Sequence, residues 1–420
     1  MYHLFRNADF RRLFFGRVVT NAGDSLYSVA AMWLVYSLTG STFYTGLAGM
    51  LTLGMQALQA FVGPLVDRWP LRNTLVWTQA AQGILVLTIP LAAHFDLLSV
   101  WLVLTVMPLV SLLNQFVYPA GTAALPRIVE GEDLTSANSL FSMSYQGAEL
   151  VFNAAAGVLV AIVGATTLFL IDSVTFAVAV ALFAGLRVPP AERDETDDKT
   201  GYLVELRAGI RYLRGSMLVW ILGASVLANG LLGTTWSVLP AFADVRGDAE
   251  IYGLLLAGIA AGSLVGALVA PKFEDVPFGV LSIAGYAVSA IAWLAALRVG
   301  STTALVVLFA VAFVPVGVGN IVAMTLIQRL VPESMLGRVL AVLGSASTAA
   351  MPVGAFLGGV MGDIFGPITV MYAGGIGFLW IVAYVLVVPS LRTMPAATAV
   401  EPERDTTGGG PTTSTATNAD

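Results

Sequence analysis

The sequence predicts an all-α membrane protein with twelve transmembrane helices in two six-helix pseudo-repeats, and three observations carry that prediction. Of its 420 residues, 57% are hydrophobic and only 11% are charged, against about 25% charged in an average soluble domain. The charges cluster between twelve apolar runs, each near the length that crosses a bilayer as a helix. The second half also repeats the first at an offset of 202 residues. Leu125-Pro126-Arg127-Ile128-Val129 returns as Ile327-Gln328-Arg329-Leu330-Val331, while Gly157, Gly164 and Phe176 return as Gly359, Gly366 and Phe378.

Taken in order, residues 1–12 form a short basic entry with Phe5 and Phe10 as interfacial anchors, and no cleavable signal peptide follows. Apolar runs are expected to span at about 14–38, 44–66, 74–93, 100–122, 136–163 and 166–186. Composition then changes. Residues 189–201 are charged and proline-bearing, and 204–214 read as an amphipathic helix with Leu206, Ile210 and Leu213 on one face and Arg207, Arg211 and Arg214 on another. Six further spans fall at about 218–242, 252–271, 279–297, 304–325, 336–361 and 368–388. The expected units are 1–188 and 217–390 as six-helix bundles, 189–216 as a cytoplasmic linker and 391–420 as a disordered tail, clearest in the Thr-, Gly- and Pro-rich 401–420.

Basic residues set the orientation. With twelve crossings and a cytoplasmic N-terminus, all but Arg246 and Arg298 of the 20 Lys and Arg residues fall on the inner side. The expected location is the plasma membrane, multi-pass, with both termini cytoplasmic. The chain has no cysteine, which excludes disulfides, thiolate metal sites and a thiol nucleophile. Its two histidines, His3 and His94, stand far apart, so no metal site is expected. No Walker loop, nucleophile elbow, zinc motif or Rossmann fingerprint occurs. The protein is therefore expected not to be an enzyme, to carry no cofactor and to draw on a proton gradient. Its expected partners are the lipid bilayer and a small-molecule substrate, with no nucleic acid, and it is expected to work as a monomer.

Between the second and third apolar runs stands Gly63-Pro64-Leu65-Val66-Asp67-Arg68-Trp69-Pro70-Leu71-Arg72. Gly63, Asp67, Arg68 and Arg72 resemble the loop between helices 2 and 3 of the major facilitator superfamily of secondary transporters. Pro70 and Leu71 depart from the usual glycine and basic residue. Pro126-Arg127-Ile128-Val129, the following Leu134, Ala137, Asn138 and Ser139, and the opening Phe5-Arg6-Asn7 to Leu13 are similar to the branch containing macrolide-efflux and enterobactin-export proteins. Phe152-Asn153 stands where drug exporters of the superfamily usually carry Gly-Pro. The resemblance covers residues 1 to about 390 and implies the major facilitator fold. It also implies that the hinge is a conformational gate, in which Asp67 docks near Ser334 to Arg338 at the start of helix 11. Arg68 and Arg72 are expected either to pair with acids such as Glu130 or with anionic lipid, or only to mark topology.

A carboxylate at mid-bilayer depth costs at least about 2.5–3.5 kcal/mol on insertion scales, so Asp24, Glu149 and Asp172 each ask for a reason. In the first helix Arg17, Asn21, Asp24 and Ser28 form one polar stripe, and in the fifth Ser142, Gln146, Glu149 and Asn153 form another. In the resembled fold, helices 1, 4, 7 and 10 line the central cavity, and helices 2, 5, 8 and 11 help to wall it. That implies cavity or proton-coupling positions for Asp24, Asn21, Glu149, Gln146 and Asn153, and further candidates at Asn114, Gln115, Tyr118, Asn229, Trp236 and Asn320. The alternative for each is a hydrogen-bonded group that only fixes packing, and for Asp172 on the peripheral sixth helix that reading leads. The expected function is a secondary active transporter, a proton-coupled exporter of amphipathic small molecules working by alternating access. A proton-coupled uptake symporter and a transport-dead scaffold or sensor are the alternatives.

Overall fold

The computed structural model describes residues 3–56, 69–189 and 202–400. The gate residues Gly63, Asp67 and Arg68 lie outside the described residues. Along the described chain, α1 spans Ala8–Thr39, α2 Thr42–Gln56, α3 Leu71–His94, α4 Val100–Ile128, α5 Leu134–Val163 and α6 Ala165–Ala184. After the linker come α7 (Tyr202–Arg214), α8 (Leu218–Arg246), α9 (Ala249–Val269), α10 (Phe278–Ala296), α11 (Thr302–Leu330), α12 (Glu333–Phe365), α13 (Pro367–Val387) and the short α14 (Pro389–Arg392). Among the described residues nine helices are long and apolar enough to cross a membrane. With α1, α5 and the described part of α2 packed among them, the count is twelve.

The repeat seen in the sequence is also a repeat of helix ends. Ser99 and Ser301 cap α4 and α11, each accepting from the backbone N–H three residues on. Both helices end in an extended residue, Val129 and Val331. Gly164 and Gly366 join the last two helices of each half at φ 81° and 84°, a conformation that a side chain would strain. All three pairs stand 202 residues apart.

Within each half the helices pack as α1 on α6, α3 on α6, α8 on α12 and α9 on α11. Between the halves α2 lies against α12 and α5 against α9. We call the end of the bundle at which α1 begins and α13 ends the near end. At the opposite, far end the halves fuse. One apolar cluster there takes in Leu34 and Val35 of α1, Val160 of α5, Phe242 of α8, Leu255 of α9 and Phe309 of α11. At the near end there are two separate clusters, one around Phe10, Leu13 and Leu125 and one around Leu218, Leu326 and Val339. The helices therefore splay from a shared far end. Large apolar side chains such as Trp77, Ile84, Leu268 and Val387 are at least 67% exposed, as a lipid-facing surface requires.

Small residues make the far seal. Thr42 and Gly46 of α2 meet Gly359 and Gly362 of α12, where a Cβ on Gly46 would stand 2.7 Å from the Gly359 Cα. Thr42 Oγ1 donates to Gly359 O at 2.9 Å and Thr45 Oγ1 to Ser237 O at 2.6 Å. At the rim Ser41 Oγ donates to Asp363 Oδ1 at 2.8 Å and Tyr36 Oη to Asp244 Oδ2 at 3.2 Å.

Three expectations are corrected or completed. Among the described residues Arg72 pairs with no acid: its Nε and Nη2 donate to Ala184 O at 3.0 and 2.6 Å, satisfying a carbonyl that the end of α6 leaves open. The expected disordered tail does not begin at residue 391. Residues 391–400 fold back on α10, with Phe278 N donating to Pro395 O and Thr398 Oγ1 to Asp275 Oδ1, and Met394 and Ala397 are buried. The apolar burial of those two side chains holds the segment in place; residues 401–420 lie outside the described residues. The two exceptional arginines have structural work. Arg246 donates to Leu297 O and Val299 O and covers Phe242, and Arg298 covers Tyr372. The linker helix α7 rests on α12 with Leu213 buried and Gly209 against the Arg338 carbonyl, and Arg207, Arg211 and Arg214 are exposed.

Candidate functional site: two adjoining cavities

The stripe on α1 faces a cavity of about 780 Å³. Arg17, Asn21, Asp24 and Ser28 supply one wall, and Asn114, Gln115, Tyr118 and Thr122 of α4 supply another. Asn138 and Ser142 of α5 continue the lining toward the near end, where the halves are apart. Asp24 is held from across the cavity: Asn114 Nδ2 donates to its Oδ2 at 3.1 Å. Arg17 is only 6% exposed, its stem lies over Gly121 of α4, and its charge acts on Asp24. Buried charges in a bilayer persist when paired or wetted, and Asp24 has a hydrogen bond from Asn114 and a cavity beside it. Prolines at 108 and 119 sit inside α4, breaking its helical ladder beside the residues that line the cavity.

A second cavity of about 300 Å³ adjoins the first and lies between the halves. Its lining is mostly apolar: Met32 of α1, Met107 of α4, Trp236 and Leu239 of α8, and Leu256 and Ile259 of α9. Tyr27 also lines it, and Ser28 belongs to both cavities. A polar compartment and an apolar compartment thus share a wall at one turn of α1.

Asn21, Asp24, Asn114, Gln115 and Tyr118 gather on the polar cavity, and Trp236 on the apolar one. Asp172 is apart from both, 0% exposed and pressed against Gly23 of α1. Asn229 and Asn320 line neither cavity. Asn229 donates to Ser225 O of its own helix, and Asn320 is exposed. The backbone of α5 is described, but the side chains of Gln146, Glu149 and Asn153 lie outside the described residues. Arg17, read in the sequence as the first residue of the stripe though not singled out as a site residue, lines the polar cavity with Asp24. Sequence reasoning missed Tyr27 and the buried amides Gln79 and Gln82 on α3, which bond to each other at 3.0 Å. Two glutamines three residues apart in an apolar run were the available signal for the amides.

Two similar six-helix halves around a central cavity define a transporter of the major facilitator superfamily. The chain belongs to the family described as transmembrane secretion effector, whose model matches residues 2–407. It is 25% identical over 379 residues to the uncharacterized MFS-type transporter YvqJ of Bacillus subtilis, covering 88% of this chain and 89% of that one. It is 28% identical over 415 residues to the enterobactin exporter EntS of Escherichia coli O1:K1, covering 93% and 95%. Among solved structures it resembles a bacterial homologue of the human lysosomal transporter Spinster in an inward-facing, unoccupied conformation, with a TM-score of 0.69 at 15% identity over 94% of this chain and 98% of that one.

Proposed function

We propose that this protein is a secondary active transporter, and not an enzyme, that exports amphipathic small molecules in exchange for protons by alternating access. The observation that carries this reading is the junction at Ser28 of a polar cavity holding Asp24 and Arg17 with an apolar cavity holding Trp236 and Met32. A solute with a polar end and an apolar body meets matching chemistry in both compartments. Their volumes, about 780 and 300 Å³, lie within the usual range of small-molecule sites, roughly 300–1,000 Å³.

Direction is supported by orientation and by kinship. The bias of basic residues puts the near end in the cytoplasm, so the splayed halves open inward and the far seal faces outside. The relative named as an enterobactin exporter moves its substrate outward by its printed name. Asp24 is the proton-binding residue in this mechanism. Neutral and ionised carboxylates differ greatly in cost of burial, so protonation of Asp24 biases which state closes around it. No further chain is required, and the unit of transport is the monomer.

The test is flux of a compound panel in inside-out vesicles with an imposed pH gradient. Gradient-driven accumulation of amphipathic compounds inside such vesicles is the expected result. Movement in the opposite sense, or none for the whole panel, would replace export with uptake or with a role that needs no flux. Reporters fused after Pro189 and at Gly247 are expected on opposite faces, the first cytoplasmic.

A further inference from the structure

Behind the wall of the polar cavity, α1 and α6 meet at Gly23, where a Cβ would overlap Asp172 Oδ1 and Thr175 Oγ1. This contact brings a second carboxylate to the back of the helix that carries Asp24. Asp172 is 0% exposed. Its Oδ1 accepts from Thr175 Oγ1 at 3.1 Å, but that hydroxyl also lies 2.8 Å from the Asp172 backbone carbonyl, so one proton serves two acceptors. The Oδ2 atom is buried and has no hydrogen-bond partner among the described residues. Tyr27, one turn beyond Gly23, is 6% exposed, and its hydroxyl is likewise buried without a partner there. On α1 it stands one turn from Gly23, which touches Asp172, and three residues from Asp24, so it neighbours both along the helix surface.

The charges do not balance. The described groups facing this pair from α1 are Arg17, Asp24 and Tyr27. From α3 the buried polar groups are the neutral Thr74, Thr78, Gln79 and Gln82, and α4 contributes the neutral amide Asn114. The side chains at the middle of α5, Glu149 among them, lie outside the described residues. Among the described groups, one guanidinium against two carboxylates leaves one negative charge in a bilayer interior, where isolated charge is expelled or neutralised. Two buried oxygens on neighbouring helices, each without a partner among the described residues, mark where the neutralising cation belongs.

We propose that Asp24, Tyr27 and Asp172 form one buried site that holds a single monovalent cation, a proton or a sodium ion, with Asp172 as its inner ligand. Tyr27 connects this site to the substrate cavities. Its ring stacks edge-on against Phe169 of α6 with centroids 5.7 Å apart and lines the apolar cavity, while its hydroxyl belongs to the site. A solute pressing on the ring moves the hydroxyl, so occupancy of the apolar cavity changes how firmly the cation is held. Only this last step rests on the transport reading of the preceding section; cation binding needs no substrate.

The experiment is infrared difference spectroscopy of the full-length protein in lipid nanodiscs without substrate, titrated with pH in choline buffer and again in sodium buffer. In the wild type the carbonyl band of a protonated carboxylic acid is expected to disappear with a single midpoint as pH rises. If sodium is the occupant, adding it at fixed pH displaces the band; if the proton is, sodium leaves it unchanged. Asp172→Asn is expected to remove the band or its sodium response. Tyr27→Phe, which keeps the ring on Phe169, is expected to move the midpoint. Wild-type responses retained in both variants would overturn the proposal, as would a wild type with neither band nor sodium response. Should Asp172→Asn fail to fold, an unchanged midpoint in Tyr27→Phe overturns it alone. Vesicle flux that fails while the band behaves as expected overturns the transport reading and leaves the cation site standing.

Discussion

The two halves share a repeat but bury different things. The first half buries Arg17, Asn21, Ser25, Gln79, Gln82 and Asp172, whereas the buried polar side chains described in the second are Thr235, Ser237, Ser282 and Ser289. Among the described residues no charged side chain is buried in the second half. At the repeat offset Gly374 stands where Asp172 does and Val316 where Asn114 does. Gly374 packs on Thr235 and Trp293, and Trp293 Nε1 donates to Met371 O at 2.8 Å. Among the described residues the first repeat buries charge, and the second presents a shaped apolar wall. Alternating access needs two bodies that rock, but only one of them has to change charge.

That division can be broken by experiment, and the largest effect is expected at Asp24. Asp24→Asn keeps the shape and the Asn114 contact but cannot release a proton. It should abolish gradient-driven flux and spare substrate binding and energy-independent exchange. If flux against a gradient persists, charge handling does not reside at this position.

The far seal comes next. Gly359→Val places two methyl groups where α2 and α12 already touch, and overpacking of this kind costs about 1–3 kcal/mol. The absence of native cysteine allows Asn138→Cys to serve as a single thiol at the open end. Its labelling by an impermeant reagent in inside-out vesicles should fall when Gly359→Val is added, as the halves part at the far end and close at the near one. Unchanged labelling would show that the seal does not set the conformation.

A comparable effect on binding is expected at Trp236→Ala, which removes the aromatic wall of the apolar cavity. Affinity for a substrate with a large apolar body should weaken by roughly 1–3 kcal/mol, the value of a few hydrophobic contacts in a pocket. Solutes lacking an apolar part should be unaffected, so equal losses for both classes would erase the distinction between the compartments. The smallest effect is expected at Tyr36→Phe, which removes the hydrogen bond to Asp244 at the rim. A net contribution of about 0.5–1.5 kcal/mol should appear as a modest fall in the same labelling at position 138.

Much of this arrangement was readable from residue spacing. Gly164 and Gly366, paired in the repeat, end α5 and α12, and the stripe from Arg17 to Ser28 on α1 identified the wall of the polar cavity because a polar row in an apolar helix must face a partner or water. The rest was hidden by a property of membrane helices. Where lipid and packed interior are both apolar, periodicity does not separate one face from the other. The sixth helix, apolar all round except for Asp172 and a few hydroxyls, gave no sign that its carboxylate meets Gly23. Asn320 carried the same signal as Asn114, yet one is exposed and the other holds Asp24. The bond from Arg72 to Ala184 was unreadable for another reason: a backbone carbonyl looks the same in every residue.

The far seal also bears on leakage. Its contact is made by backbone, methyl groups and two threonine hydroxyls whose protons are already committed to carbonyl oxygens. The nearest acids, Asp244 and Asp363, stand exposed at the rim. A proton arriving from that face meets no titratable group in the contact and no free hydroxyl along which to hop. On the transport reading proposed above, the few residues around Gly46 and Gly359 would insulate the membrane, letting one that holds many copies of this protein keep its voltage between transport cycles.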